Sequence, residues 1–238
     1  MRCVPTVEIS NVVKSYKAGA PVLDDISLSF ERSEFATIYG KSGSGKTTLL
    51  NLMGGLDRPT SGHIKVDGVD ITNLPEDRLA GLRLEKIGFV FQDSNLLSDL
   101  TVRDNVAIPL RFSKRKVQGR ADELLERFGL QSIADERANR ISGGEAQRTA
   151  IARAMINEPR IILADEPTGS LDSDNTDTVL KAFELLTKDF ETTIILATHD
   201  KEIAAYASST IRLEDGKAFV EASNGIRSLR PNGPSAHS

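Results

Sequence analysis

Gly40-Lys41-Ser42-Gly43-Ser44-Gly45-Lys46-Thr47 follows the apolar run 35–39 in the spacing Gly-x4-Gly-Lys-Thr. Glycines at such positions let successive backbone N–H groups turn onto one anion, and a helix opening at Thr47 adds about half a positive charge at its start. The chemistry this implies is the grip of a nucleoside triphosphate: Lys46 reaches the β- and γ-phosphates, and the Thr47 hydroxyl is a ligand for Mg2+. Thr48 belongs to the same nucleotide-binding set. Far along the chain, the apolar run 161–164 ends in Asp165-Glu166. Asp165 is placed to act on the Mg2+ shell and Glu166 to position or deprotonate an attacking water. Taken alone, Glu166 reads equally well as a solvated loop residue. Between these motifs lies Ser142-Gly143-Gly144-Glu145, a Ser with Glu three positions on, ahead of a helical run. That is the pattern of a capping box, and a helix start without Cβ atoms is also an anion site.

Elements that position these residues are legible in outline. Strands are expected over residues 7–12, 23–30, 35–39, 63–66, 87–91, 161–164 and 193–197, with Asp67-Gly68 as a turn. The phosphate loop opens a helix over 47–53. From about 95 to 157 the pattern turns helical, including 117–128 and 143–155. A later helix carries Val179, Ala182, Phe183 and Leu186 on one face. Strands alternating with helices imply an α/β fold whose mostly parallel sheet is covered on both sides. Residues 223–238, rich in Ser, Pro, Asn and Gly, are expected to be a disordered tail.

Composition bounds the function. The 238 residues suffice for a sizeable core, and 39% hydrophobic and 27% charged residues are ordinary for a soluble protein. A net charge of -4 gives no basic footprint, so no nucleic-acid partner is expected. The single cysteine, Cys3, forms no internal disulfide and suits a reducing cytoplasm. No apolar run approaches the roughly 20 residues needed to span a bilayer, and residues 1–5 lack a signal-peptide core. Any membrane part must come from another chain.

The order of the three motifs, with Ser142-Gly143-Gly144 between the phosphate loop and Asp165-Glu166, resembles ATP-binding cassette (ABC) proteins over roughly residues 4–220. The resemblance implies a P-loop NTPase core (1–92 and 158–222) with an N-terminal antiparallel β subdomain, an inserted helical subdomain (93–157), and ATP and Mg2+ as cofactors. It implies that Gln92 meets Mg2+ and the water, that His199 contacts the γ-phosphate and steadies Glu166, and that Tyr16 stacks on adenine. Each has a plainer reading as surface polar group, helix-start residue or surface tyrosine. Asp172 matches the loop through which two subunits communicate. Ser142, Gly143 and Gly144 would face the γ-phosphate held by the opposite subunit, which makes the working form a homodimer with two shared sites. Lys41 stands where the family often has proline, and Glu145 where it usually has glutamine; the cap role is favoured for Glu145.

Gly88-Phe89-Val90-Phe91-Gln92, Asn95-Leu96-Leu97, residues 101–106 and Pro109-Leu110 look like the macrolide-export, lipoprotein-release, haem-export and cell-division branch. That branch implies integral membrane permease partners at the cytoplasmic face of the membrane. Two alternatives stay open here: a relay ATPase that regulates an external activity without transport, and a soluble cassette acting on nucleic acid or ribosomes. The latter fits poorly, for the chain has one motif set and no long heptad run.

Overall fold

The computed structural model describes residues 4–16, 19–113 and 119–221; the expected tail lies outside them. Three early strands, β1 (Val7–Lys14), β2 (Leu23–Phe30) and β3 (Phe35–Tyr39), lead into helix α1 (Lys46–Met53). Strands β4 (Ser61–Val66) and β5 (Val69–Asp70) form a hairpin whose turn residues Asp67 and Gly68 both have positive φ, the conformation a two-residue turn between twisted strands favours. Helix α2 (Glu76–Lys86) and strand β6 (Ile87–Phe91) follow, then the helices α3 (Val102–Ala107), α4 (Arg120–Arg127) and α5 (Gly143–Met155). The chain closes through β7 (Ile161–Asp165), α6 (Ser173–Asp189), β8 (Thr193–Thr198), the short α7 (Lys201–Ala204), β9 (Ser209–Glu214) and β10 (Lys217–Glu221).

Two sheets result. One is antiparallel, in the order β2-β1-β4-β5; the other runs β10-β9-β3-β8-β7-β6 and is parallel except for β10. Alternation in β2 buries one face, whereas every residue of β3 and β8 is buried, as a strand covered on both sides demands. The large sheet separates two apolar cores. Ala36, Ile38, Ile161, Leu163, Ile195 and Ala197 pack with α1 and the antiparallel sheet. Phe35, Ile162, Ala164, Ile194 and Leu196 pack on the other side with α5 and α6. The period of two along each strand feeds both cores at once.

Several elements depart from the sequence reading. Helix α4 starts after Gly119, whose φ is 79°, so the helix expected from 117 is described only from Arg120; residues 117–118 lie outside the described set. Helix α2 had no apolar stripe to betray it, since it buries only Leu79. Its ends were legible nonetheless: Pro75 precedes it, Glu76 and Asp77 fill its first turn, and Arg83 and Lys86 its last. The β9–β10 hairpin was also missed, though Asp215-Gly216 is a turn pair with both φ values positive. Among the described residues no helix is long and apolar enough to cross a membrane.

Candidate functional site

Strands β3, β6, β7 and β8 are parallel, so their carboxyl ends share one edge of the sheet, the usual place for a ligand in such folds. From β3 comes the phosphate loop, from β7 Asp165 and Glu166, from β8 His199, and from β6 Gln92. A cleft of about 610 Å³ at this edge is lined by Lys41, Ser42, Gly43, Gly45, Lys46, Thr47, Thr48, Gln92, Glu166 and His199. A larger, contiguous cleft includes Gly40 to Ser44 and Ala20 to Val22.

Gly45 is one position where the loop depends on glycine. Its φ is 104°, and an added Cβ would press on Leu23 and on the Val22 carbonyl at 3.0 Å. Lys46, buried at the start of α1, donates to the carbonyls of Gly40 (2.9 Å) and Lys41 (3.2 Å) and lies 3.7 Å from Glu166 Oε1. Its ammonium is thus already at the mouth of the loop. Thr47 Oγ1 donates to Asp165 Oδ2 at 2.8 Å. Burial pushes the Asp165 carboxyl above its ordinary pKa, the Thr47 hydrogen bond opposes this, and the nearby Glu166 charge adds to it. Asp165 Oδ1 is buried without a protein partner. An orphan carboxylate oxygen beside a hydroxyl is a donor set that a divalent cation fits, and such a charge would reverse the upward push.

Glu166 sits in the left-handed region at φ 46°, a conformation that costs a non-glycine residue about 1 kcal/mol or more. Backbone bonds hold it there: its N–H donates to the Ala197 carbonyl, and its own carbonyl accepts from Gly169. The turn aims the carboxylate at the β8 end, where Oε2 accepts from the His199 backbone N–H (3.3 Å) and lies 2.9 Å from His199 Nδ1. Gln92 lies against the same turn, for a Cβ on Gly169 would stand 3.3 Å from Gln92 Nε2. Glu166, His199 and Gln92 are therefore brought together with the phosphate loop.

Other expected residues stand elsewhere. Ser142 caps α5: its Oγ accepts from the Glu145 N–H, and Glu145 Oε2 accepts from the Ser142 N–H (2.8 Å) and hydroxyl (2.7 Å). These bonds from Ser142 hold the Glu145 carboxyl below its ordinary pKa. The cap role read for Glu145 is realised. Gly144 is buried against Asn175, and Asp172 caps α6 by accepting from the Asn175 N–H at 2.9 Å. None of Ser142, Gly143, Gly144 and Asp172 lines either cleft at the phosphate loop. Tyr16 does not line them either; it stands just beyond β1, 58% exposed. Gln147 and Arg153 were not anticipated. From α5 they donate to the carbonyls of Phe91, Ser94 and Asn95, holding the segment around Gln92 to the helix that Ser142 begins.

The geometry matches a known class. A family model described as ABC transporter matches residues 23–169, more than half of the chain. The chain belongs to the ABC transporter family. It is 43% identical to the uncharacterized ABC transporter ATP-binding protein YknY of Bacillus subtilis, over 94% of this chain and 99% of that protein. It is 46% identical to the lipoprotein-releasing system ATP-binding protein LolD 1 of Chlorobium chlorochromatii, covering 84% of this chain and 83% of the relative. With the macrolide export ATP-binding/permease protein MacB of Syntrophobacter fumaroxidans it shares 45% identity over 88% of this chain, but spans only 30% of that relative. Among solved structures it is similar to the dimeric, post-hydrolysis ATP-binding cassette MJ0796 bound to ADP and Pi, with a TM-score of 0.82 and 39% identity, covering 94% of this chain and all of the other.

Proposed function

We propose that this chain binds and hydrolyses ATP as a homodimer with two shared Mg-ATP sites, and that closure of the dimer drives an integral membrane permease. One observation carries the reading: the phosphate loop, Glu166, Gln92 and His199 line one cleft, while the second anion-binding helix start, Ser142 to Gly144, does not line it. A single copy already supplies one end of the triphosphate site; a second copy supplies the other. The dimeric state and bound ADP and Pi named for the MJ0796 cassette support this.

In the proposed site Lys46 exchanges the loop carbonyls for the β- and γ-phosphates, and Tyr16 stacks on the adenine. Thr47, Asp165 and Gln92 would hold Mg2+, which when bound neutralises charge on the triphosphate. Glu166 takes the proton of the attacking water, and His199 fixes the Glu166 carboxylate through Oε2. Asp172, at the start of α6 and tied to Asn175 beside Gly144, links the two shared sites. Lipoprotein release and macrolide export, the activities for which two relatives are named, support an export or extraction system at the cytoplasmic face of a membrane. The segment between Gln92 and Asn105, within the inserted subdomain, would form part of the groove that grips a cytoplasmic helix of the permease.

The test is Glu166→Gln. This variant retains ATP, turns over slowly and accumulates dimer on size exclusion in Mg-ATP. Normal turnover by a monomeric variant would remove Glu166 as the base. For the parent protein, ATPase rate per chain rises with protein concentration, and a rate indifferent to dilution across the micromolar range contradicts the shared site.

A further inference from the structure

Tyr16 presents an unusual combination for a surface aromatic. The ring is 58% exposed, yet two separate contacts fix it. Its hydroxyl donates to Asp57 Oδ2 at 2.8 Å, and the Lys14 ammonium sits over one face, 4.5 Å from the ring centroid. Lys14 is itself almost buried and is held by Asp57 Oδ1 (2.7 Å) and the Arg58 carbonyl (2.8 Å), so the three side chains form a closed triangle. Burial pushes the Asp57 carboxyl up, but the hydrogen bonds from Lys14, Tyr16 and the Arg58 N–H leave it below its ordinary pKa, charged at neutral pH.

Ordering an exposed aromatic side chain sacrifices rotamer entropy without the apolar burial that normally offsets it. A ring fixed at its hydroxyl and covered by a cation on one side has a single open face. Its place in the fold gives the ring an address. Tyr16 follows β1 directly, the Val22 N–H bonds the Lys14 carbonyl at 2.7 Å, and Val22 both lines the cleft beside the phosphate loop and touches Gly45. Asp57 lies a few residues past α1, the helix that the phosphate loop opens, so the triangle ties the ring to that helix.

We propose that Asp57 and Lys14 are positioning residues that lock the Tyr16 ring as a one-faced platform for a nucleobase, at a fixed distance from the phosphate loop. The inference rests on the reading of Tyr16 as the adenine-stacking residue and goes beyond it by naming what holds the ring. Lys14 withdraws electron density from the covered side, which favours stacking of an electron-rich purine on the open one. With the ring fixed in advance, ATP meets no further ordering cost there.

The experiment is calorimetric titration of ATP into Tyr16→Phe, Asp57→Ala, their combination, and Tyr16→Ala. Tyr16→Phe deletes only the anchoring hydroxyl, at an exposed position where folding is not in question. It is expected to weaken ATP binding about fivefold, the scale of one net hydrogen bond. Asp57→Ala weakens it similarly, and the combination weakens it no more than either alone, because both act through one ring orientation. Inorganic tripolyphosphate, measured by displacement of ATP, competes equally well against all of them. Additive losses, or an equal loss for tripolyphosphate, assign Asp57 a merely structural role and overturn the proposal. If Tyr16→Phe binds ATP as tightly as the parent while Tyr16→Ala does not, the ring works without its anchor and the positioning inference fails alone. If Tyr16→Ala binds ATP normally, the adenine reading itself falls.

Discussion

Gly144 offers a sharp test of how the start of α5 is tied to the start of α6. A Cβ built there falls on the Asn175 amide oxygen, 2.5 Å from its Cγ and 3.2 Å from its Cβ. The Cγ distance shows that rotating the amide is not enough; the whole side chain must leave its rotamer, and the Cβ contact asks for a small backbone shift besides. Asn175 Nδ2 donates to both Asp172 oxygens, at 2.9 and 3.0 Å, so the displacement also loosens the cap of α6. Overpacking costs about 1–3 kcal/mol and partial loss of a cap about 1 kcal/mol more. For a chain of this size Gly144→Ala should therefore lower the melting temperature by about 4–16 °C, read by calorimetry in the absence of nucleotide. Asn175→Ala alone loses the amide bonds but keeps its own N–H on Asp172, a cost of about 1 kcal/mol. The decisive measurement is the double variant. Removing Asn175 makes room for the added methyl, so the combined loss must be smaller than the sum of the single losses, by at least about 1 kcal/mol. Additive losses would mean that Gly144 is required for some reason other than its contact with Asn175, and the proposed tie between Ser142-Gly143-Gly144 and Asp172 would lose its support.

Three further outcomes follow from the same site. Lys46→Ala should abolish calorimetrically detectable ATP binding at micromolar protein, since it removes a buried cation from the loop mouth; unchanged affinity would deprive the loop of its role. Asp165→Asn should raise the melting temperature at pH 7 without Mg2+ or nucleotide while ATPase activity is lost. The folded pKa of Asp165 is raised, so the folded protein binds its proton more tightly than the unfolded chain and stability falls as pH climbs through that range; the variant's advantage must shrink in acid, and a pH-independent difference would refute the cause given. Glu145→Ala should cost about 1 kcal/mol at pH 7 through loss of the capping box. Here the folded pKa is lowered, so the stabilisation is present above the ordinary carboxylate range and disappears as pH falls through the folded value; urea titrations of parent and variant should converge in acid.

How much of this was legible in the sequence depends on where the controlling interaction lies. Strands 23–30, 35–39 and 87–91 and helix 143–155 were readable to the residue, because a half-buried strand alternates, a strand covered on both sides is a continuous apolar run, and a capping box marks its own helix start. Helix α2 and the β9–β10 hairpin escaped because an exposed helix and an edge hairpin carry little apolar pattern. The site residues were visible by type, but their meeting required strand order, which no local pattern encodes. Asp165 shows why. It continues the parity of Ile161 and Leu163, whose side chains enter the core shared with α1, so its carboxylate emerges on the side where Thr47 begins that helix. Glu166 breaks the parity by its positive φ and turns instead toward His199 at the end of the neighbouring strand. Two adjacent carboxylates thus receive different partners, the first by strand register and the second by the turn at Glu166. Inserting one residue into β7 would send the aspartate to the face packed by α5 and α6, leaving Thr47 without its carboxylate although every motif in the sequence remained intact.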